Sequence, residues 1–234
     1  VLSVYFIYLI SVLFYSSMYG SNSCGLNLVK NGIVIKAGAK ACIPKSVINT
    51  VKGDKDVGKI IPIVDDIGCF GHTSIFMNST GSTFNVFKED VKSIIDLFHM
   101  KLIKGRLPRG NSNEIIIPLD FAKYNKTSIG DYLGKNTNFN IYLDDDYKVV
   151  GIMDGPCSIM ITSNTKNIGM SRSEVLRHNI ICSLSSEKQG KISKKLKSIS
   201  GDNITFYDYE SLKKQLYGMY NNVNVLRIIL DGLI

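Results

Sequence analysis

The sequence predicts an α+β fold, with two ferredoxin-like βαβ halves and a small β-rich subdomain inserted between them. Three observations predict it. Strand–helix–strand patterning occurs twice, once after Asn31 and again after Asn179. Between the two lie short apolar runs punctuated by Gly, Asn and Asp, the pattern of hairpins. Both ends of the chain turn apolar, as expected of a body flanked by membrane-entering helices.

No charge occurs from Val1 to Val29, and Lys30 is the first ionised side chain. At about 1.5 Å per residue, VLSVYFIYLISVLFYSSMY can cross most of a hydrocarbon layer roughly 30 Å thick. Tyr5, Tyr8, Tyr15 and Tyr19 suit a membrane interface, which favours an apolar ring with a polar tip. A secretory signal normally has a basic start and a small-residue cleavage site, and a buried core helix is the remaining alternative. Residues 1–29 are therefore expected to be a first transmembrane helix with its exit segment. With Val at position 1, the chain is expected to be a piece of a longer protein.

NGIVIKAGA reads as the first strand, and Pro44 opens a helix to Lys52 with Val47, Ile48 and Val51 on one face. VGKIIPIV (Val57 to Val64) and HTSIFMN are the next strands. Asp90 is expected to cap a helix whose apolar residues Val91, Ile94, Ile95, Phe98 and Leu102 keep the 3.6-residue period, with Gly105 as its stop. A β-rich module follows from Leu107. EIIIP is a strand, LDFAKYN a helical turn, SIGDYLG a turn into FNIYL, DDD a turn, and YKVVGIM and SIMIT strands. The opening pattern then repeats: NIICSL is a strand, SEKQGKISKKLKSIS a helix with Ile192, Leu196 and Ile199 inward, and NITFYD a strand.

Leu212, Leu216, Met219, Val223, Leu226, Leu230 and Leu233 step by four and three, a heptad seam with no proline. The segment ends in VNVLRIILDGLI. It is read as a stalk leading into a second membrane span, although a helix packed on its own domain shows the same periodicity.

The formal net charge is +8, from 28 basic and 20 acidic residues, and hydrophobic residues make up 44%. The lysines are dispersed and lack the interleaved aromatics of a nucleic-acid face, so no nucleic-acid partner is expected. Five cysteines without CxxC or regular spacing argue against a disulfide framework and a cysteine zinc site. Cys69 and His72 have a ligand-like spacing but no second pair, and the carboxylates at Asp65–Asp66 and Asp144–Asp146 sit in turn-like sequence. No GxxxxGK[ST] and no GxSxG is present. Neither an enzyme nor a cofactor or metal site is expected.

The order of GRLP, NEIIIP, SIGD and YKVVGI between two βαβ halves and two apolar ends resembles the extracytoplasmic domain of MacB/FtsX-like ABC-transporter permeases. Gly105, Arg106 and Pro108 match the joint before the inserted strand, Glu114 the strand start, Gly130 and Asp131 the turn, and Val150 and Gly151 the strand after the acidic hairpin. Physically these positions are structural. A glycine takes positive φ, and the planar Arg106 fork can bridge backbone carbonyls or a carboxylate such as Glu114.

The resemblance implies five segments: a first membrane helix (1–29), a porter-like first half (30–106), the β-rich insert (107–168), a porter-like second half (169–208) and a stalk into a second span (209–234). It further implies a permease subunit whose residues from about 31 to 208 lie outside the cytoplasm. A separate cytoplasmic ABC ATPase would hydrolyse ATP, and a second permease copy would make a homo- or heterodimer. The resemblance also implies coupling of ATP-driven motion to export or mechanotransmission, on a peptide, lipid, lipoprotein or other extracellular substrate. Gly105, Arg106, Pro108, Glu114, Gly130, Asp131 and Gly151, with Leu212, Leu216, Met219, Val223 and Leu226, are the expected structural and coupling residues. The alternative reading is the extracellular sensor of a two-span receptor such as a histidine kinase, which shares the flanking helices and stalk.

Overall fold

β1 (Gly32–Ala37) is GIVIKA, in which Ile33 and Ile35 point to one face and are fully buried. Alternation with β-branched residues makes such a segment a strand with one face in a core. In the computed structural model the described residues are 26, 29–38, 40–73, 78–134, 143–166, 168–214 and 217–218, with backbone only for 65–73 and 78–82.

α1 (Lys45–Gly53) starts after Pro44, whose fixed φ suits a helix start, and buries Val47, Ile48 and Val51. β2 (Ile60–Thr73) pairs through its first residues with β9 (Asn179–Ser183), and β9 pairs with β1. α5 (Ser186–Lys197) leads from β9 to β10 (Ile204–Tyr207), which closes on the other edge of β1. The order β10-β1-β9-β2 has every neighbouring pair antiparallel, which is the interleaved double βαβ of a ferredoxin-like sheet. The two halves read from the sequence meet in this one sheet.

Beyond its first residues β2 pairs with β3 (Asn78–Val86), and the ladder continues into a second sheet. There β3 pairs parallel with β8 (Ile159–Thr162), β8 antiparallel with β5 (Glu114–Pro118), and β5 parallel with β7 (Tyr147–Asp154). β4 (Lys101–Gly105) and the short β6 (Tyr132–Leu133) both pair antiparallel with β7. The described residues thus form one ten-stranded mixed sheet in two parts, and the fold is α+β. The second part takes in β3 and β4 as well as residues after Leu107.

Three cores hold it together. α1 and α5 (Ser186–Lys197) cover one face of the first sheet, packing Val47, Val51, Ile192 and Leu196 on Ile33, Ile35, Ile180 and Cys182. α2 (Val91–Leu97) packs Val91, Ile94 and Ile95, with Phe98 just beyond, between that sheet's opposite face (Ile61, Ile181) and the second sheet (Ile116, Val150, Ile159, Ile161). Each such side chain contributes about 1.5–3 kcal/mol relative to exposure. α3 (Leu119–Tyr124) covers the second sheet's far face through Phe121, against Ile115, Ile117, Val149 and Met160.

Several expectations are corrected. The helix after Asp90 ends at Leu97, so Leu102 belongs to β4 and Gly105 ends a strand, not a helix. Leu102 stands four residues after Phe98, in helical phase by coincidence. His99, at φ 53, turns the chain out of the helix between them. β2 runs on to Thr73 and β3 begins at Asn78, so the two ends of HTSIFMN belong to those strands, and 74–77 lie outside the described residues. Of the cysteines, Cys157 and Cys182 are buried but Cys42 is exposed. The transmembrane helix at 1–29 lies almost wholly outside the described residues, as does FNIYL apart from Leu143. No helix among the described residues is long and apolar enough to cross a membrane.

Candidate functional site

The residues of the GRLP, NEIIIP, SIGD and VVGI motifs gather around β7. Gly105 has φ +77, and a Cβ there would collide with the Val150 carbonyl oxygen and stand 2.9 Å from Gly151 Cα and 2.8 Å from Ile129 Cδ1. A Cβ at Gly151 would meet Arg106 O at 2.6 Å. These two glycines let β4 and β7 approach more closely than side chains allow, while Arg106 N–H donates to Val150 O (3.0 Å). Gly130, at φ +103, turns the SIGD loop so that its N–H reaches Val149 O (2.8 Å). Asp131 caps that turn by accepting from Ser128 N–H (2.7 Å), and Asp131 O accepts from Val149 N–H (2.8 Å).

Arg106 spans this cluster. Its Nη1 and Nη2 donate to the two oxygens of Glu114 at 2.7 and 2.5 Å, and Nη1 also reaches Leu107 O (3.0 Å). Arg109 N–H adds a third donor to the carboxylate (2.8 Å), which closes the loop that carries the buried Pro108. The fork-to-carboxylate geometry is the strong, orientation-fixing kind. Chiefly through the Arg106 hydrogen bonds, Glu114 is held down from 4.5 to about 2. Because its folded value lies below its unfolded one, the stability it contributes is complete above about pH 4.5 and is lost as pH falls through about 2. Glu114→Gln is therefore expected to lower stability at neutral pH and to flatten the decline between those values. Urea midpoints measured against pH check this, and an unchanged acid slope counts against it.

A second cluster ties together the two segments that lead to the apolar ends, and sequence reasoning missed it. The strand registers put Gly32, Ser183, Ile60 and Tyr207 at one end of the first sheet. Gln189 of α5, 2% exposed, reaches into that end. Its amide nitrogen lies 2.5 Å from Val29 O, 3.1 Å from Leu184 O and 3.3 Å from Gly32 O, while its Oε1 accepts from Tyr209 N–H (2.8 Å). Carbonyls only accept and an N–H only donates, so these partners fix the amide's orientation. One turn on, Ser193 Oγ donates to Asp208 Oδ2 (2.9 Å), and Asp208 Oδ1 caps the helical residues 209–214 by accepting from Ser211 N–H (2.8 Å). A glutamine and a serine spaced i, i+4 on the inward face of an otherwise lysine-rich helix were the available signal.

A third contact joins the two parts of the sheet. Arg172, first residue of α4 (Arg172–Val175), donates to both Asp90 oxygens at 2.8 and 2.9 Å and to Ile60 O at 3.3 Å. Asp90 is 6% exposed, so its charge is matched where water barely reaches. The SRSE at 171–174 is a capping-box sequence that would have placed Arg172 at a helix start; Ser171 N–H donates to Glu174 at 2.7 Å.

The solved structures similar to this chain include two transporter ectodomains. The chain is similar to the periplasmic region of MacB from Actinobacillus actinomycetemcomitans, at TM-score 0.47 and 14% identity, over 82% of this chain and 94% of that one. It is also similar to the extracellular domain of the noncanonic ABC-type transporter YknZ from Gram-positive bacteria, at TM-score 0.44 and 13% identity, over 76% and 100%. No protein-family model and no curated protein matches the chain.

Of the expected coupling residues, Gly105, Arg106, Pro108, Glu114, Gly130, Asp131 and Gly151 thus share one neighbourhood. Leu212 lies in the helical residues 209–214, partly exposed; Leu216, Met219, Val223 and Leu226 lie outside the described residues. Among the described residues no group of three or more His, Cys, Asp or Glu is placed to hold a metal.

Proposed function

We propose that this chain is the extracytoplasmic module of an ABC-transporter permease, working with a cytoplasmic ATPase and a second permease copy to relay membrane motion outward. The observation that carries this reading is the position of the two outgoing segments. The one that follows the uncharged residues 1–29 and the one that leads into the heptad seam leave the same end of the first sheet, and Gln189 bonds to both. Two membrane helices attached there would move as a pair and tilt the body above them. The substrate would be a peptide, lipid or lipoprotein met on the outer side by the second sheet, whose loops are braced on β7 by Arg106 and Glu114.

Stiffness of the seam tests it. Proline within a helix costs about 3 kcal/mol and kinks the axis. In the full transporter Met219→Pro is expected to abolish transport at normal abundance and near-normal ATP turnover. Met219→Leu, costing under about 1.5 kcal/mol, is expected to leave transport intact. A proline variant that transports like the parent at equal abundance removes the relay.

A further inference from the structure

The junction between the two parts of the sheet carries a cleft of about 480 Å³ that none of the contacts above uses. It opens between α2 and the segments that start β2 and follow β9, beside Asn31. Ile61 and Leu97 give it an apolar floor. Polar groups converge on it from three separate stretches of chain: Lys59, Ser93, Asp96, His99 and Ser185. A concave site with an apolar floor and a few converging polar groups is the general form of a small-molecule site.

Its charges are placed in a particular way. Lys59 Nζ donates to Ser93 Oγ at 3.1 Å, which holds the ammonium against the side of α2. Among the described residues no carboxylate comes within salt-bridge distance of it, although three donors are available. Asp96 stands three residues after Ser93 on the same helix face, about 4.5 Å along the axis. It too has no cationic partner among the described residues. A cation and an anion therefore line one cavity without pairing with each other. His99 lies at the rim, its Nε2 2.8 Å from Asn31 Nδ2, and this bond links the incoming chain to the end of α2.

We propose that this cleft binds a small zwitterion whose anionic group meets Lys59 and Ser93 and whose ammonium meets Asp96. A simple anion would leave Asp96 repelling it, and a simple cation would face Lys59. The matching chemistry is an ammonium two or three bonds from a phosphate or carboxylate, as in aminoalkyl phosphates. Such a group comes either as a free solute or as the headgroup of a lipid in the membrane beside the outgoing segments. The inference rests on the cleft alone and stands whether or not the module relays motion.

The test is a ligand-observed NMR titration of the full chain with O-phosphoethanolamine and, separately, inorganic phosphate. Saturable binding of O-phosphoethanolamine is expected, tighter than that of phosphate. Lys59→Met should weaken it about tenfold. Asp96→Asn should weaken O-phosphoethanolamine by a similar factor but leave phosphate equal or tighter, a split that loss of fold would not produce. Nanodiscs separate the sources. Weaker binding of the soluble probe in phosphatidylethanolamine discs than in phosphatidylglycerol discs assigns the site to the lipid, and equal binding assigns it to a solute. No saturable binding, or variants that bind like the parent, overturns the proposal.

Discussion

Gln189→Leu is expected to destabilise the protein by about 2–4 kcal/mol, as the leucine fits the space but bonds to nothing. The change strands Val29 O, Leu184 O and Tyr209 N–H in a region where Gln189 itself is 2% exposed. A buried group left without a partner costs about 1–3 kcal/mol, and some of these will recruit water. Gln189→Glu offers no rescue at neutral pH, because a carboxylate would face Val29 O, Gly32 O and Leu184 O with acceptors only. Urea unfolding of both variants measures the cost, and a change under about 0.5 kcal/mol would show that the bonds are incidental. If the proposed transporter relay is correct, the same variants in the full-length protein should uncouple transport from ATP turnover, because the two outgoing segments would no longer be fixed to each other.

Gly105→Ala is expected to cost about 2–4 kcal/mol, combining positive-φ strain with a clash against backbone that cannot swing away. The new Cβ would run into Val150 O and Gly151 Cα, both within the ladder that β7 makes with β4 and β5. Gly190→Ala on α5 is the matched control. Nothing lies within 4 Å of a Cβ there, and an alanine in a helix is favoured over glycine by about 0.5–1 kcal/mol. The same chemical change should thus have opposite signs at the two positions. Thermal or urea midpoints of the pair decide it, and a Gly105→Ala protein as stable as its parent would mean that β4 and β7 can separate freely.

Periodicity made much of the fold legible in advance. β1, α1, β5, β7, β9, α5 and β10 lie close to where apolar runs, apolar alternation or the 3.6-residue period puts them, because each has at least one face in a core. β3 was not legible. NSTGSTFNV has few apolar residues, and what makes it a strand is pairing on both sides, with β2 and β8. β4 reads as helix because Leu102 falls in phase with Phe98, whereas what makes it a strand is its pairing with β7, about fifty residues later. Within the candidate site, the Arg106–Glu114 pairing was legible because only seven residues of turn-rich sequence separate the two groups. Gln189 and the Arg172–Asp90 pair join positions 20 to 160 residues apart, and no local pattern encodes such a distance.

β2 belongs to both parts of the sheet: Ile60 to Pro62 pair with β9, and Ile63 onward with β3. The two parts are therefore joined by continuous backbone rather than by a loose tether, and this gives the molecule a mechanical grain. Force along β2 loads its flanking hydrogen bonds in shear, many at once, and meets high resistance. Force across the sheet at β4, an outer strand held on one side by β7, opens bonds one after another like a zip. The irregularities between Ile63 and Asp65 and between Asp66 and Cys69 are where the strand can flex without parting. Such a body is stiff to a pull along its long strand and yielding to a peel at its outer edge.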